Sequence, residues 1–225
     1  MDTTLERDYR RLTTPRAAAV AGILFALLFA ASLVLLRVSI PEGLNADTAW
    51  VVTGYRSITT ALGLMPFAGI AFLWFIGVVR DKLGDYEDRF FSSVFYGSSL
   101  LFLGMVFVAM AIVGGLVAGY RLNPGMTLDS QMIYFSRAMM IQLSNIYALR
   151  MAGVTMISLG TIWLRTGLAP RWLVGVTYAL SLALLVVVNF SLWVTLVYPA
   201  WVTLISLFIL WVRFRHPEVY ILASE

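Results

Sequence analysis

Apolar residues fill this chain in six long runs separated by short polar links. A bilayer's hydrocarbon core is about 30 Å thick, so a helix needs about 20 mostly apolar residues to cross it. Six segments qualify: 17–36, 58–79, 91–118, 138–164, 172–188 and 195–212. The pattern predicts an all-α fold, a polytopic transmembrane helical bundle of six spans. One membrane domain, 17–212, lies between an N-terminal segment 1–16 and a C-terminal tail 213–225.

The polar links set an expected orientation. Lys and Arg concentrate in cytoplasmic links. One side holds Arg7, Arg10, Arg11, Arg16, Arg80, Lys82, Arg89, Arg165, Arg171, Arg213 and Arg215, and the other Arg37, Arg56, Arg121 and Arg137. Eleven against four predicts both termini in the cytoplasm, which agrees with an even number of spans. The basic stretch before residue 17 also suits a secretory signal, but the apolar run that follows exceeds the roughly 7–15 residues of a signal core. It reads as a retained first span.

Each link has its own character. Arg80-Asp-Lys-Leu-Gly-Asp-Tyr-Glu-Asp-Arg89 packs four acids and three bases into a solvated turn or, less plainly, a docking patch. In Arg165-Thr-Gly-Leu-Ala-Pro-Arg171 a helix-stopping glycine precedes a proline at the next helix start, which predicts a tight hairpin. On the opposite side, Asn45 or Asp47 can cap a helix that runs through Trp50, Tyr55 and Arg56 into the second span. The third run, at 28 residues, comes to about 42 Å of helix, so tilt or projection must absorb the excess.

Composition narrows the chemistry. Hydrophobic residues make up 60% and charged residues 12%, with a mean hydropathy of +0.87. The net charge of +4 comes from 15 Arg and one Lys set around the apolar runs rather than on a soluble basic face. Nucleic acid is therefore not an expected partner. Cysteine is absent and His216 is the single histidine, so disulfides, thiolate nucleophiles, cysteine-bound zinc, iron–sulfur clusters and bis-histidine haem within one chain are excluded. No cofactor or metal is implied.

Packing signals are present. Gly22-x-x-x-Ala26-x-x-x-Ala30 and Gly115-x-x-x-Gly119 place small residues on one helical face, for packing inside the bundle or for a homo-oligomer or membrane-protein partner. Pro66 and Pro199 lie within apolar runs and predict kinks, either architectural or hinge-like. Trp50, Trp163, Trp172, Trp193 and Trp211 suit interfacial belts. The ten Met, including Met139, Met140 and Met151, read as flexible core filling.

Arg150 is the one ionisable side chain deep inside a run. An arginine at mid-span costs about 2.5–3.5 kcal/mol on insertion scales, so it faces the bundle interior, water or a partner. Gly153 promises room on nearly the same face, Tyr147 shares that side, and Gln142 and Asn145 add hydrogen-bonding capacity. No span contains Asp or Glu. The partners open to Arg150 are Asp47 or Asp129 from the links, helix-end carbonyls, or an exogenous anion such as an anionic lipid headgroup. In the last case Arg56 and Arg137 are its natural helpers.

Two function classes follow. One is a small transporter or a lipid- or anion-binding membrane protein, with an outward-facing basic site of Arg150, Tyr147, Asn145, Gln142, Arg56 and Arg137. The other is a non-catalytic accessory or scaffold protein packed against a partner. Catalysis is disfavoured, because Ser92, Ser93, Ser98 and Ser99 have no histidine to activate them and no span offers a carboxylate.

Several runs resemble a group of bacterial, mostly actinobacterial, six-span integral membrane proteins of unknown function. They are Ala71-Phe-Leu-Trp-Phe-Ile-Gly-Val-Val-Arg80-Asp-Lys-Leu, Arg89-Phe-Phe, Tyr147-Ala-Leu-Arg150-Met-Ala and Arg165-Thr-Gly-Leu-Ala-Pro-Arg-Trp172. The resemblance covers roughly residues 15–215 and implies six spans in a bacterial plasma membrane. It carries no activity, ligand or site residue.

Overall fold

A computed structural model describes residues 3–41, 49–84, 89–122, 129–186 and 192–215. Among them the chain is helical, without strands. α1 (Thr3–Ser39) is followed by a single helical turn, α2 (Trp50–Thr53), and by the long helices α3 (Tyr55–Gly84) and α4 (Arg89–Leu122). α5 (Ser130–Ile141) passes through a π-helical stretch (Gln142–Ala148) into α6 (Leu149–Thr166). α7 (Arg171–Val186) precedes a 3₁₀ stretch (Leu192–Leu196) that opens α8 (Val197–Arg215).

Among the described residues five helices are long and apolar enough to cross a membrane: Ala17–Ser39, Tyr55–Asp81, Phe90–Leu122, Ser130–Thr166 and Trp193–Trp211. This is the build of a multi-pass membrane protein, and it matches five of the six predicted runs. The remaining run, 172–188, forms α7, whose 16 residues make about 24 Å of helix against about 30 Å of hydrocarbon. The helices outrun their apolar parts at several boundaries, α3 reaching Gly84 and α4 Leu122, and two of the differences are large. α1 continues upstream to Thr3, and the fourth run starts at Ser130 rather than 138, because Asp129 caps it by accepting from the Gln131 amide at 3.1 Å. The helix expected to enter the second span is broken at Gly54. A Cβ there would lie 2.9 Å from Ser39 Cβ and 2.8 Å from the Trp50 carbonyl, so the end of α1 packs against this turn only where a side chain is missing. Asn45 and Asp47 lie outside the described residues.

The predicted hairpin after α6 forms as its residues dictate. Gly167 adopts φ 69°, the left-handed conformation that side chains resist, and its amide closes on the Trp163 carbonyl at 2.9 Å. Pro170 then supplies the carbonyl that receives the amides of Leu173 and Val174 at 3.0 and 3.2 Å. The two prolines occupy different positions in their helices. α3 runs through Pro66 as one helix. Pro199 sits in the first turn of α8, where an α-helix has no amide bond to lose.

The core is aromatic and joins four helices. Phe25 and Phe29 of α1, Phe72 of α3, Phe102 of α4 and Tyr198 of α8 stand with ring centroids 4.6–6.4 Å apart, the range of favourable ring pairs. Trp201 stacks on Tyr198 at 5.7 Å and donates from Nε1 to Thr177 of α7 at 3.0 Å. Hydroxyls supply the other cross-links: Ser32 to the Ala61 carbonyl at 2.7 Å, Ser98 with Thr155 at 2.9 Å, and Thr161 with Tyr178 at 2.8 Å. Such bonds average about 0.6 kcal/mol between membrane helices, so ring and methyl packing dominates the cohesion.

Arginine–ring contacts mark the two ends of the bundle. Arg80 lies over Tyr96 at 4.4 Å and Arg165 over Phe91 at 4.9 Å, while Arg37 lies over Trp193 at 5.3 Å. α1 and α8 are antiparallel, since Gly22 packs on Ser206 while Arg37 meets Trp193. The start of α1 and the close of α8 therefore share one end. Trp50 is buried among the core residues, so it is no interfacial anchor, whereas Trp172, Trp193 and Trp211 stay exposed.

Candidate functional site

Arg150 sits where π-helical backbone returns to α-helical. A π-helix bonds i→i+5 instead of i→i+4, which disturbs the regular ladder and often marks functional sites. The half-buried guanidinium folds back on its own helix and donates from Nη1 to the Ile146 carbonyl at 2.8 Å. The room expected from Gly153 goes elsewhere. That glycine faces α7, where a Cβ would meet Leu185 at 3.0 Å and the Ser181 carbonyl at 3.2 Å.

The other predicted site residues scatter. Asn145 is buried while Gln142 and Tyr147 are exposed; Tyr147, two residues on from Asn145, stands about 160° round the helix from it even at a 3.6-residue period. Arg137 is buried, 13 residues up the same rod from Arg150, or roughly 20 Å. Asp129 is engaged in its cap, 21 residues from Arg150, or roughly 31 Å, so it cannot neutralise the guanidinium. Arg56 lies on α3 and lines a cavity whose described walls include neither Arg150 nor Arg137.

That cavity, about 500 Å³, lies at the end opposite Arg80 and Arg165 and is lined by Val52, Thr53, Tyr55, Arg56, Tyr120 and Arg121. It sets the first residues of α3 against the last turn of α4. Two arginines and two tyrosines border it, with Val52 and Thr53 beside them. Arginine forks match phosphate and carboxylate oxygens, and phenol hydroxyls donate to the same acceptors. Among the described residues neither Arg56 nor Arg121 makes a salt bridge.

The sequence does hold a signal for this pairing that hydropathy analysis passes over. The tripeptide Gly-Tyr-Arg occurs twice, as Gly54-Tyr55-Arg56 and Gly119-Tyr120-Arg121, and both copies line the one cavity through their Tyr and Arg. A second polar group lies at mid-bundle without a sequence signal of its own. Ser99 donates to the Phe95 carbonyl at 2.7 Å and Thr155 to the Met151 carbonyl at 2.9 Å, with Ser98 against Thr155. The buried Tyr198 hydroxyl faces this group without hydrogen-bond geometry to it. Each Ser and Thr hydroxyl here also reaches a carbonyl of its own helix, and the Ser98–Thr155 contact ties α4 to α6.

Comparison with known proteins supplies no relative: no family model matches the chain, and no curated protein or solved structure matches it.

Proposed function

We propose that this chain is a binding protein of the plasma membrane, not an enzyme, that takes an anionic group, phosphate or carboxylate, in the cavity of the paired Gly-Tyr-Arg segments. The observation that carries the reading is that Arg56, Arg121, Tyr55 and Tyr120 all line one cavity. Relative to the site expected around Arg150, the proposal keeps Arg56, adds Arg121 and gives Arg150 a structural role, since its guanidinium already has a carbonyl acceptor.

The reading places six spans in the bilayer with both termini in the cytoplasm. Support comes from the excess of basic residues on the Arg80 side and from the path of α7, which leaves the end marked by Arg165 and Phe91 for the end marked by Arg37 and Trp193. The bacterial plasma membrane rests on the resemblance drawn from the sequence. The cavity then opens on the outer face.

Anion binding is tested by titrating phosphate and a short carboxylate into purified protein and reading thermal unfolding in detergent. The expected outcome is stabilisation of the wild type and of Arg150→Gln, with the shift lost in Arg56→Gln/Arg121→Gln. Two charge-assisted contacts of about 1.5–3 kcal/mol each make that loss larger than tenfold in affinity. Equal shifts in all three proteins would remove the proposal.

One observation favours the accessory or scaffold reading. A Cβ at Gly115 or Gly119 would meet nothing, while Gly22 on the other small-residue face is filled by Ser206 and Phe75. The Gly115 face therefore stays open to a partner helix or a second copy.

A further inference from the structure

The anion-binding reading leaves the ligand's body unspecified, and the surface below the cavity specifies it. Arg56 is the second residue of the apolar stretch Tyr55–Asp81, and Arg121 the second-last of Phe90–Leu122. Both guanidiniums therefore stand at the headgroup level of a bilayer, flanked by the tyrosines that suit that level. Gly63 lies seven residues below Arg56 and Gly115 six below Arg121, a descent of about 10 Å on either helix. Their neighbours Leu62 and Gly114 touch across the seam, where a Cβ on Gly114 would meet Leu62 at 3.6 Å. Gly63 and Gly115 thus flank one seam at one depth, both exposed, with no atom within 4 Å of a Cβ on either.

Small side chains continue along this face. Pro66 on α3 and Ala111 and Ala118 on α4 are exposed as well. Further down, Phe107 of α4 crosses the seam and its ring covers Gly69 of α3. From Arg56 to Gly69 is 13 residues, about 20 Å of helix, against a bilayer leaflet whose hydrocarbon depth is about 15 Å. The result is a shallow, small-walled groove with two positive charges at its mouth and an aromatic ring at its foot.

We infer that the site takes an anionic diacyl phospholipid, its phosphodiester held by Arg56 and Arg121 and one acyl chain laid over Gly63 and Gly115. The inference rests on the anion-binding reading and commits to a lipid where that reading does not. Charge selects the occupant: a bare apolar groove would take any chain or helix, but two arginines at its mouth favour a chain that ends in an anion. A free anion would gain nothing from the glycines. A lipid gains chain contact with the exposed α3–α4 seam as well as its phosphate contacts.

The test uses the full chain in mild detergent, with phosphatidylglycerol, phosphatidylcholine and glycerol phosphate as probes, read by native mass spectrometry. The expected result is a phosphatidylglycerol adduct preferred over phosphatidylcholine, and little adduct with glycerol phosphate. It should weaken about tenfold or more in Arg56→Gln/Arg121→Gln and also in Gly63→Leu/Gly115→Leu, where leucines occupy the groove. Glycerol phosphate binding as well as the lipid, with the leucine variant unaffected, would overturn the lipid inference and leave the anion site standing. No response to the arginine substitutions would overturn both. If the leucine variant instead converts a dimer to a monomer, the groove seats a second copy and the lipid inference fails. Phosphatidylglycerol with a diazirine in its acyl chain gives a readout that needs no variant: crosslinks within 59–70 and 107–118 are expected, and crosslinks confined to other helices would refute the inference.

Discussion

An arginine at mid-span must find acceptors away from water, and a helix carbonyl keeps a second lone pair that a side chain four residues on can use. Arg150 does so, donating from Nη1 to the Ile146 carbonyl of its own rod at 2.8 Å, the same four-residue back-bond that Ser99 makes to Phe95 and Thr155 to Met151. Its position was legible in the sequence as the single ionisable residue inside an apolar run. Its acceptor was not, because nothing in the sequence chooses between a carbonyl of its own helix, an acid from the links and an exogenous anion. Gly167 is the opposite case, a residue whose role was plain beforehand. Its left-handed φ of 69° predicts that Gly167→Ala lowers unfolding stability in detergent by about 1–2 kcal/mol. An unchanged melting temperature would mean that the hairpin relaxes without it.

At the scale of elements, the runs of apolar residues anticipated the helices well and their faces less well. Gly22-x-x-x-Ala26 and Gly115-x-x-x-Gly119 look alike as strings, yet α8 and α3 close over the first and leave the second open. The difference sets up a paired expectation. Gly22→Leu should destabilise the bundle by about 1–3 kcal/mol through overpacking, because Ser206 and the Phe75 ring occupy the space. Gly115→Leu should leave thermal unfolding nearly unchanged. Equal losses on melting the two variants in detergent would show that the Gly115 face is also packed. Trp50 teaches the same lesson in reverse: it resembles an interfacial anchor in sequence but lies buried where α2 turns toward α3.

The whole molecule is held by rings from α1, α3, α4 and α8 at its centre and by arginine–ring contacts at its ends. Its topology is directly measurable, because the chain has no cysteine and single introduced thiols report without background. With six crossings, Leu168→Cys reacts with an impermeant maleimide only from the cytoplasmic face, while Leu122→Cys and Trp193→Cys react only from outside. Leu168 and Trp193 labelled from one face would mean that the 16 residues of α7 enter the bilayer and turn back.

The sequence by itself determined that this chain has the helical build of a multi-pass membrane protein and where its long apolar helices lie. The cost of placing a residue in hydrocarbon depends mainly on that residue, so run length and charge can be read one position at a time. Hairpin chemistry was local for the same reason, with Gly167 and Pro170 acting within their own turn. Only the tertiary structure decided which arginines share a site. Arg56 and Arg121 are 65 residues apart in sequence (121 − 56) and meet because α3 and α4 are antiparallel neighbours, whereas Arg137 and Arg150, on one rod, remain apart. Rotation of one helix against the next sets such meetings, and it depends on the packing of all the helices together rather than on any single run.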